Sequence, residues 1–71
     1  MSIDYELLNQ SHVSLRIYDI SGRLVDQLLE GEKSQGIHHI SYDRKNLPNG
    51  VYFIELEAGE HTTTKKITVI K

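Results

Sequence analysis

The chain has 71 residues, a net charge of −2 and no cysteine. A domain of this size buries only about 60% of the surface its unfolded chain exposes, which leaves little core from which to carve a large pocket, and without cysteine there is neither a disulfide nor a thiolate metal site. The scattered charges form no basic stripe for nucleic acid, no apolar run approaches the ~20 residues of a membrane-spanning helix, and the first residues lack the charged and apolar regions of a signal peptide.

The periodicity predicts six strands and no helix. The first covers Ile3 to Leu8, with Ile3, Tyr5 and Leu7 on one face. Asn9-Gln10-Ser11-His12 is a polar connection to a second strand, Val13 to Asp19, in which Val13, Leu15 and Ile17 alternate with Ser14, Arg16 and Tyr18 as a half-buried strand requires. Asp19-Ile20-Ser21-Gly22 reads as a type I turn with Gly22 in a left-handed position, so this strand and the next form a hairpin. The third strand, Arg23 to Leu29, is irregular: Val25 and Leu28 cannot share a face of a flat strand, and a bulge or bend near Asp26-Gln27 reconciles them. A helix over Leu24 to Leu29 also fits the spacing but is too short to stand alone.

Glu30 to Gly36 is polar and reads as a loop bounded by Gly31 and Gly36. A fourth strand follows, Ile37 to Asp43, with His38, Ile40 and Tyr42 on one face. Leu47-Pro48-Asn49-Gly50 is a second turn, in which proline pre-sets the backbone and Asn49 or Gly50 takes a left-handed conformation. Strand five, Val51 to Glu57, points Tyr52, Ile54 and Leu56 inward; Ala58-Gly59-Glu60 turns into the last strand, Thr62 to Ile70, with Ile67 and Val69 as core contacts. Many short strands at regular spacing predict an all-β fold, a small antiparallel sandwich of six or seven strands with an immunoglobulin-like or fibronectin-like plan.

Little in the chain suggests reaction chemistry. His38 and His39 are strand neighbours pointing to opposite faces, and His12 and His61 lie near turns, so the four histidines predict no metal site. Asp4, Asp19, Asp26 and Asp43 form no dense calcium loop. No nucleophile elbow, phosphate loop or carboxylate pair stands out, and the expectation is a non-enzyme without cofactors. Tyr18 and Phe53, on faces opposite the core, are candidates for an aromatic platform that binds sugar or protein, or else they pack against a neighbouring strand. Thr62-Thr63-Thr64-Lys65-Lys66 reads as a solvated edge, where lysine discourages strand pairing.

Taken in order, the pieces resemble a known family. Ile3-Asp4-Tyr5-Glu6-Leu7, then Val13 through Leu28 with its Ile17-Tyr18-Asp19 and Gly22-Arg23, then Gly36-Ile37-His38 through Tyr42-Asp43, Gly50-Val51-Tyr52 through Leu56, and finally Lys65-Lys66-Ile67-Thr68-Val69-Ile70-Lys71 are similar to the C-terminal sorting domains of the type IX (Por) secretion system of Bacteroidetes-type bacteria. These look related to the immunoglobulin-like domain of flagellar hook-capping proteins. The chain departs from the pattern at Tyr42, where tryptophan is frequent, and in lacking a leading Pro-Asn-Pro segment with a further strand.

The resemblance implies a non-catalytic sorting signal over residues 1–71, excised from the C-terminus of a larger secreted protein and fused to an upstream cargo. Its implied partners are the type IX translocon and a surface sortase-like protease. The implied route crosses the periplasm to the outer-membrane surface or the medium, with removal of the signal and attachment of the cargo. Recognition is then expected on the last strand, Lys65, Lys66, Ile67, Thr68, Val69, Ile70 and Lys71, by β-addition. Asp19, Gly22, Gly50 and Tyr52 would hold the shape. Either the sequence starts after that leading segment and strand or the domain is a shortened one. If a strand is missing, a sheet edge is open and self-association through it is expected as well. The rival is an immunoglobulin-like or fibronectin-like accessory module of an extracellular enzyme or adhesin, binding glycan or protein through Tyr18 and Phe53 or acting as a spacer.

Overall fold

Val13, Leu15 and Ile17 are at most 1% exposed, so the alternation of the second strand does turn one whole face into the core. In the computed structural model, which describes residues 1–43, 45 and 47–70, that strand is the inner member of the larger of two sheets. Six strands are found among the described residues: β1 (Ser2–Leu7), β2 (Ser11–Asp19), β3 (Leu24–Lys33), β4 (Gly36–Ser41), β5 (Gly50–Ala58) and β6 (His61–Val69). One sheet has the order β3-β2-β5-β6 and the other pairs β1 with β4; every pairing is antiparallel. The chain is thus an all-β protein with the layers of a small sandwich.

Two clusters fill the space between the layers. Leu15, Ile17, Leu47, Tyr52, Ile54 and Val69 form the larger, with Ile3, Ile40 and Tyr42 packed against it from the smaller-sheet side. Tyr5, Leu7 and Val13 form the second, joined by Leu56 and Ala58. Ile3 lies toward Leu15 and Ile17 while Leu7 lies toward Val13. β1 therefore runs antiparallel to β2 across the interlayer space.

The Asp19-to-Gly22 turn forms as its residues predict. The Gly22 amide donates to the Asp19 carbonyl at 3.0 Å, Gly22 has φ of +88° and no other residue of the turn has positive φ. The third strand is irregular in two places instead of one. Leu15 pairs with Leu29 and Arg16 with Gln27, so Leu28 is an extra residue; Ile17 pairs with Asp26 and Tyr18 with Leu24, so Val25 is another. The two bulges bracket Asp26-Gln27. They let Leu28 turn to the core while Val25 stays exposed.

The expected loop from Glu30 to Gly36 is a correction. β3 continues to Lys33, where Glu30 to Lys33 pair with Ser14 to Ser11 of β2, and β4 begins at Gly36. β3 is an edge strand, and its charged residues remain half-buried or exposed, which a sheet edge tolerates. Leu47 also differs from its reading as a turn residue. It is 1% exposed and belongs to the main core.

Candidate functional site

β6 occupies one edge of the four-stranded sheet. Thr62, Thr64, Lys65, Lys66 and Thr68 are exposed, Ile67 is half-buried and Val69 is 2% exposed. The strand pairs with β5 from Ala58–His61 to Gly50–Val69. Its backbone polarity follows from a single bond. The Gly59 amide donates to the His12 carbonyl at 3.1 Å, so the odd-numbered residues of β5 bond to β2 and the even-numbered ones to β6. His61, Thr63, Lys65, Ile67 and Val69 then spend their backbone groups on β5. Thr62, Thr64, Lys66 and Thr68 present theirs outward.

The six described members of the expected recognition segment, Lys65 to Ile70, do not form one surface. Lys65 stands opposite Ile54 and Ile67 opposite Tyr52, on the side facing the smaller sheet. Lys66 stands opposite Phe53, on the outer side. Val69 is core, Ile70 is 79% exposed, and Lys71 lies outside the described residues. What the strand offers a partner is its free backbone edge flanked by Lys66 and the threonines.

The four residues expected to hold the shape have clear local contacts. The Asp19 carboxylate accepts from the Ser21 hydroxyl at 2.6 Å, the Ser21 amide at 2.9 Å and the Arg23 amide at 3.0 Å, and these bonds, the hydroxyl's first, hold its carboxyl below the ordinary value. Gly22 closes that turn with its left-handed φ. In the second turn Gly50, and not Asn49, carries the positive φ, at +156°. The Tyr52 hydroxyl donates to the Pro48 carbonyl at 2.6 Å, which pins the turn to the start of β5.

Between the edge of β1 and the inner side of β6 the layers do not close. An open slot of about 380 Å³ runs there, lined by Leu7, Leu8, Leu56, Ala58, His61 and Thr63 among others. A second, smaller pocket of about 50 Å³ shares Leu56 and Thr63 with it and lies toward Ile3, Asp4, Tyr5 and Lys65. Sequence reasoning missed this slot. Its one visible signal was that β6 carries Thr63 and Lys65 on the face where β5 carries Leu56 and Ile54.

The histidines are dispersed. His38 stacks on Tyr5 with ring centroids 5.2 Å apart and donates to the Ser34 carbonyl at 2.8 Å. His39 contacts the Asp4 carboxylate at 2.7 Å, His12 approaches Glu32 at 3.9 Å, and His61 lines the slot. No group of three or more metal-ligating side chains occurs among the described residues. Tyr18 and Phe53 are direct cross-strand partners, half-buried on the outer face of the larger sheet. On the same face, Arg16 contacts Glu30 at 3.2 Å and the buried Ser14 hydroxyl donates to Glu30 at 3.3 Å.

The family described as "Secretion system C-terminal sorting domain" matches residues 1–71. No curated protein matches the chain, and no solved structure does.

Proposed function

This chain belongs to the C-terminal sorting domains of the type IX secretion system, and on that premise we propose that the free edge of β6 is the surface through which the signal is recognised. The domain marks a cargo for export. The observation that supports the edge as the recognition element is the outward backbone of Thr62, Thr64, Lys66 and Thr68, which a partner strand can extend by β-addition. Lys66 adds a positive charge beside that edge. The domain does this as a passive, non-catalytic signal, read by the translocon and then removed by a sortase-like protease at the surface, where the cargo is attached or released.

Deleting Lys65 to Lys71 from the parent should hold the cargo in the periplasm, but it also removes the buried Val69 and so disturbs the fold. Thr64→Pro is the cleaner variant. It removes an outward amide without breaking a bond to β5, as an edge strand permits. A folded Thr64→Pro domain that still delivers its cargo to the surface would sink the edge reading.

A second reading rests on Tyr18 opposite Phe53, an aromatic pair with Lys66 beside Phe53. In it the domain is an accessory module that binds glycan or protein on the outer face. A glycan array comparing the wild type with Tyr18→Ala discriminates, because a pure sorting signal binds no sugar.

A further inference from the structure

Two edges flank the slot, and they are complementary. Met1 and Tyr42 exchange both backbone bonds, at 2.9 and 2.8 Å. Alternation then commits the backbone of Ile3, Tyr5 and Leu7 to β4 and turns that of Ser2, Asp4 and Glu6 toward the open side of β1. The β1 edge is therefore acidic, with Asp4 and Glu6 exposed; one Asp4 oxygen contacts His39 at 2.7 Å, which leaves the other for a partner. The β6 edge is basic, with Lys65 and Lys66 exposed and without an ion-pair partner among the described residues. The strands also run in opposite directions. β1 is antiparallel to β2 across the layers, and β6 is parallel to β2, because each is antiparallel to β5.

From this we propose that the occupant of the slot is a second copy of this chain, in a twofold dimer in which β1 of each copy pairs with β6 of the other. The axis lies between the layers and along the strands. Such a rotation keeps every residue at its own height, so contacts across the slot within one copy give the register between copies. Leu7 shares the slot with Thr63, and Ile3, Asp4 and Tyr5 share the adjoining smaller pocket with Lys65. Leu7 then meets Thr63 of the second copy, Tyr5 meets Lys65, Asp4 meets Lys66 and Ile3 meets Ile67. This register joins outward backbone to outward backbone and puts a carboxylate opposite Lys66. Each four-stranded sheet gains the two-stranded sheet of the other copy, and the apolar slot walls, Leu56, Ala58 and Leu7, are covered. The contact is isologous and closed. Lys65 and Thr63 keep its centre polar, which makes the dimer reversible and concentration-dependent.

The test is a charge swap followed by sedimentation velocity over a concentration series of the 71-residue chain. Lys66→Glu puts a carboxylate opposite Asp4 at each seam, and Asp4→Lys with Glu6→Lys puts a lysine opposite Lys66. Each variant alone should dissociate about tenfold more readily or more, since like charges face each other at both seams, and circular dichroism checks that each is folded. Mixed in equal amounts, they should form a heterodimer at wild-type strength, because both seams are then acid against base. A wild type that stays monomeric at every concentration overturns the proposal. So does a dimer of wild-type strength in either variant alone, or a mixture of folded variants that fails to associate. The dimer covers the same β6 edge that recognition uses, so the two are exclusive and the dimer dissociates before the edge is read. Cargo delivery does not enter this readout, so the two outcomes are separate.

Discussion

Tyr42 donates its hydroxyl hydrogen to the Asp26 carboxylate at 2.9 Å, and this bond ties the segment after β4 to the part of β3 that lies between the two bulges. Asp26 is held for that bond, with its other oxygen accepting from the Gln27 amide at 2.8 Å. The two layers of the sandwich are thus joined by a polar clamp as well as by apolar packing.

The clamp predicts an alkaline weakness. Burial first, and then the bond to Asp26, push the Tyr42 hydroxyl up to about 12. A raised folded-state value gives stability that is complete below the unfolded value near 10 and is lost as pH rises through about 12. Urea unfolding in that window should show the loss. Tyr42→Phe should cost about 1 kcal/mol at neutral pH and make the alkaline loss shallower; an unchanged alkaline slope would count against the clamp.

Asp19 predicts the opposite behaviour in acid. Its carboxyl lies below the ordinary value of 3.8, chiefly through the Ser21 hydroxyl and the Arg23 amide. A lowered value gives stability present above 3.8 and lost as pH falls through the folded-state value. Asp19→Ala should lower the unfolding midpoint at neutral pH and reduce the further loss on acidification. Chemical denaturation at two pH values reads both effects.

Gly22 should tolerate no side chain without cost. At φ of +88° an added Cβ meets nothing within 4 Å, so the penalty comes from the backbone alone. Gly22→Ala should cost about 1–2 kcal/mol and Gly22→Asn less, measured by thermal unfolding. Equal effects of the two would argue against a backbone cause.

Leu47 is the strongest test of the core. It is 1% exposed and sits among Leu15, Ile17, Tyr52, Ile54 and Val69. Leu47→Ala should cost about 2–5 kcal/mol, a large share of what a domain this small can have. Retention of a cooperative transition near the wild-type midpoint would show that the segment is peripheral.

On β6, proline placement should separate edge from ladder. Thr64→Pro removes an outward amide and should leave the fold intact, whereas Lys65→Pro removes a bond to β5 and should destabilise it. Hydrogen exchange of the β5 amides checks the pair. Comparable loss of protection in both would mean that the outward register is wrong.

The faces of β2 and β5 were legible because alternation is local: Val13, Leu15 and Ile17, like Tyr52 and Ile54, need only their own strand to declare a side. Asp19 and Gly22 were legible for the same reason, since the turn closes within four residues. The strand character of Glu30 to Lys33 was hidden. It depends on pairing with Ser11 to Ser14, and its charged residues carry no apolar alternation of their own. Leu47 was hidden by the turn residues around it.

By itself the sequence determined the all-β class, the hairpin turns, the core faces and the family, all of which rest on short-range pattern. Only the tertiary structure decided that β1 pairs with β4, and that Lys65 and Lys66, neighbours in sequence, look toward different sides of the sandwich. Only there, too, does an acidic edge face a basic one across an open slot. The physical reason is that strand partners and sheet edges are set by contacts between distant residues, chosen by which faces can be buried together, and no local periodicity encodes that choice.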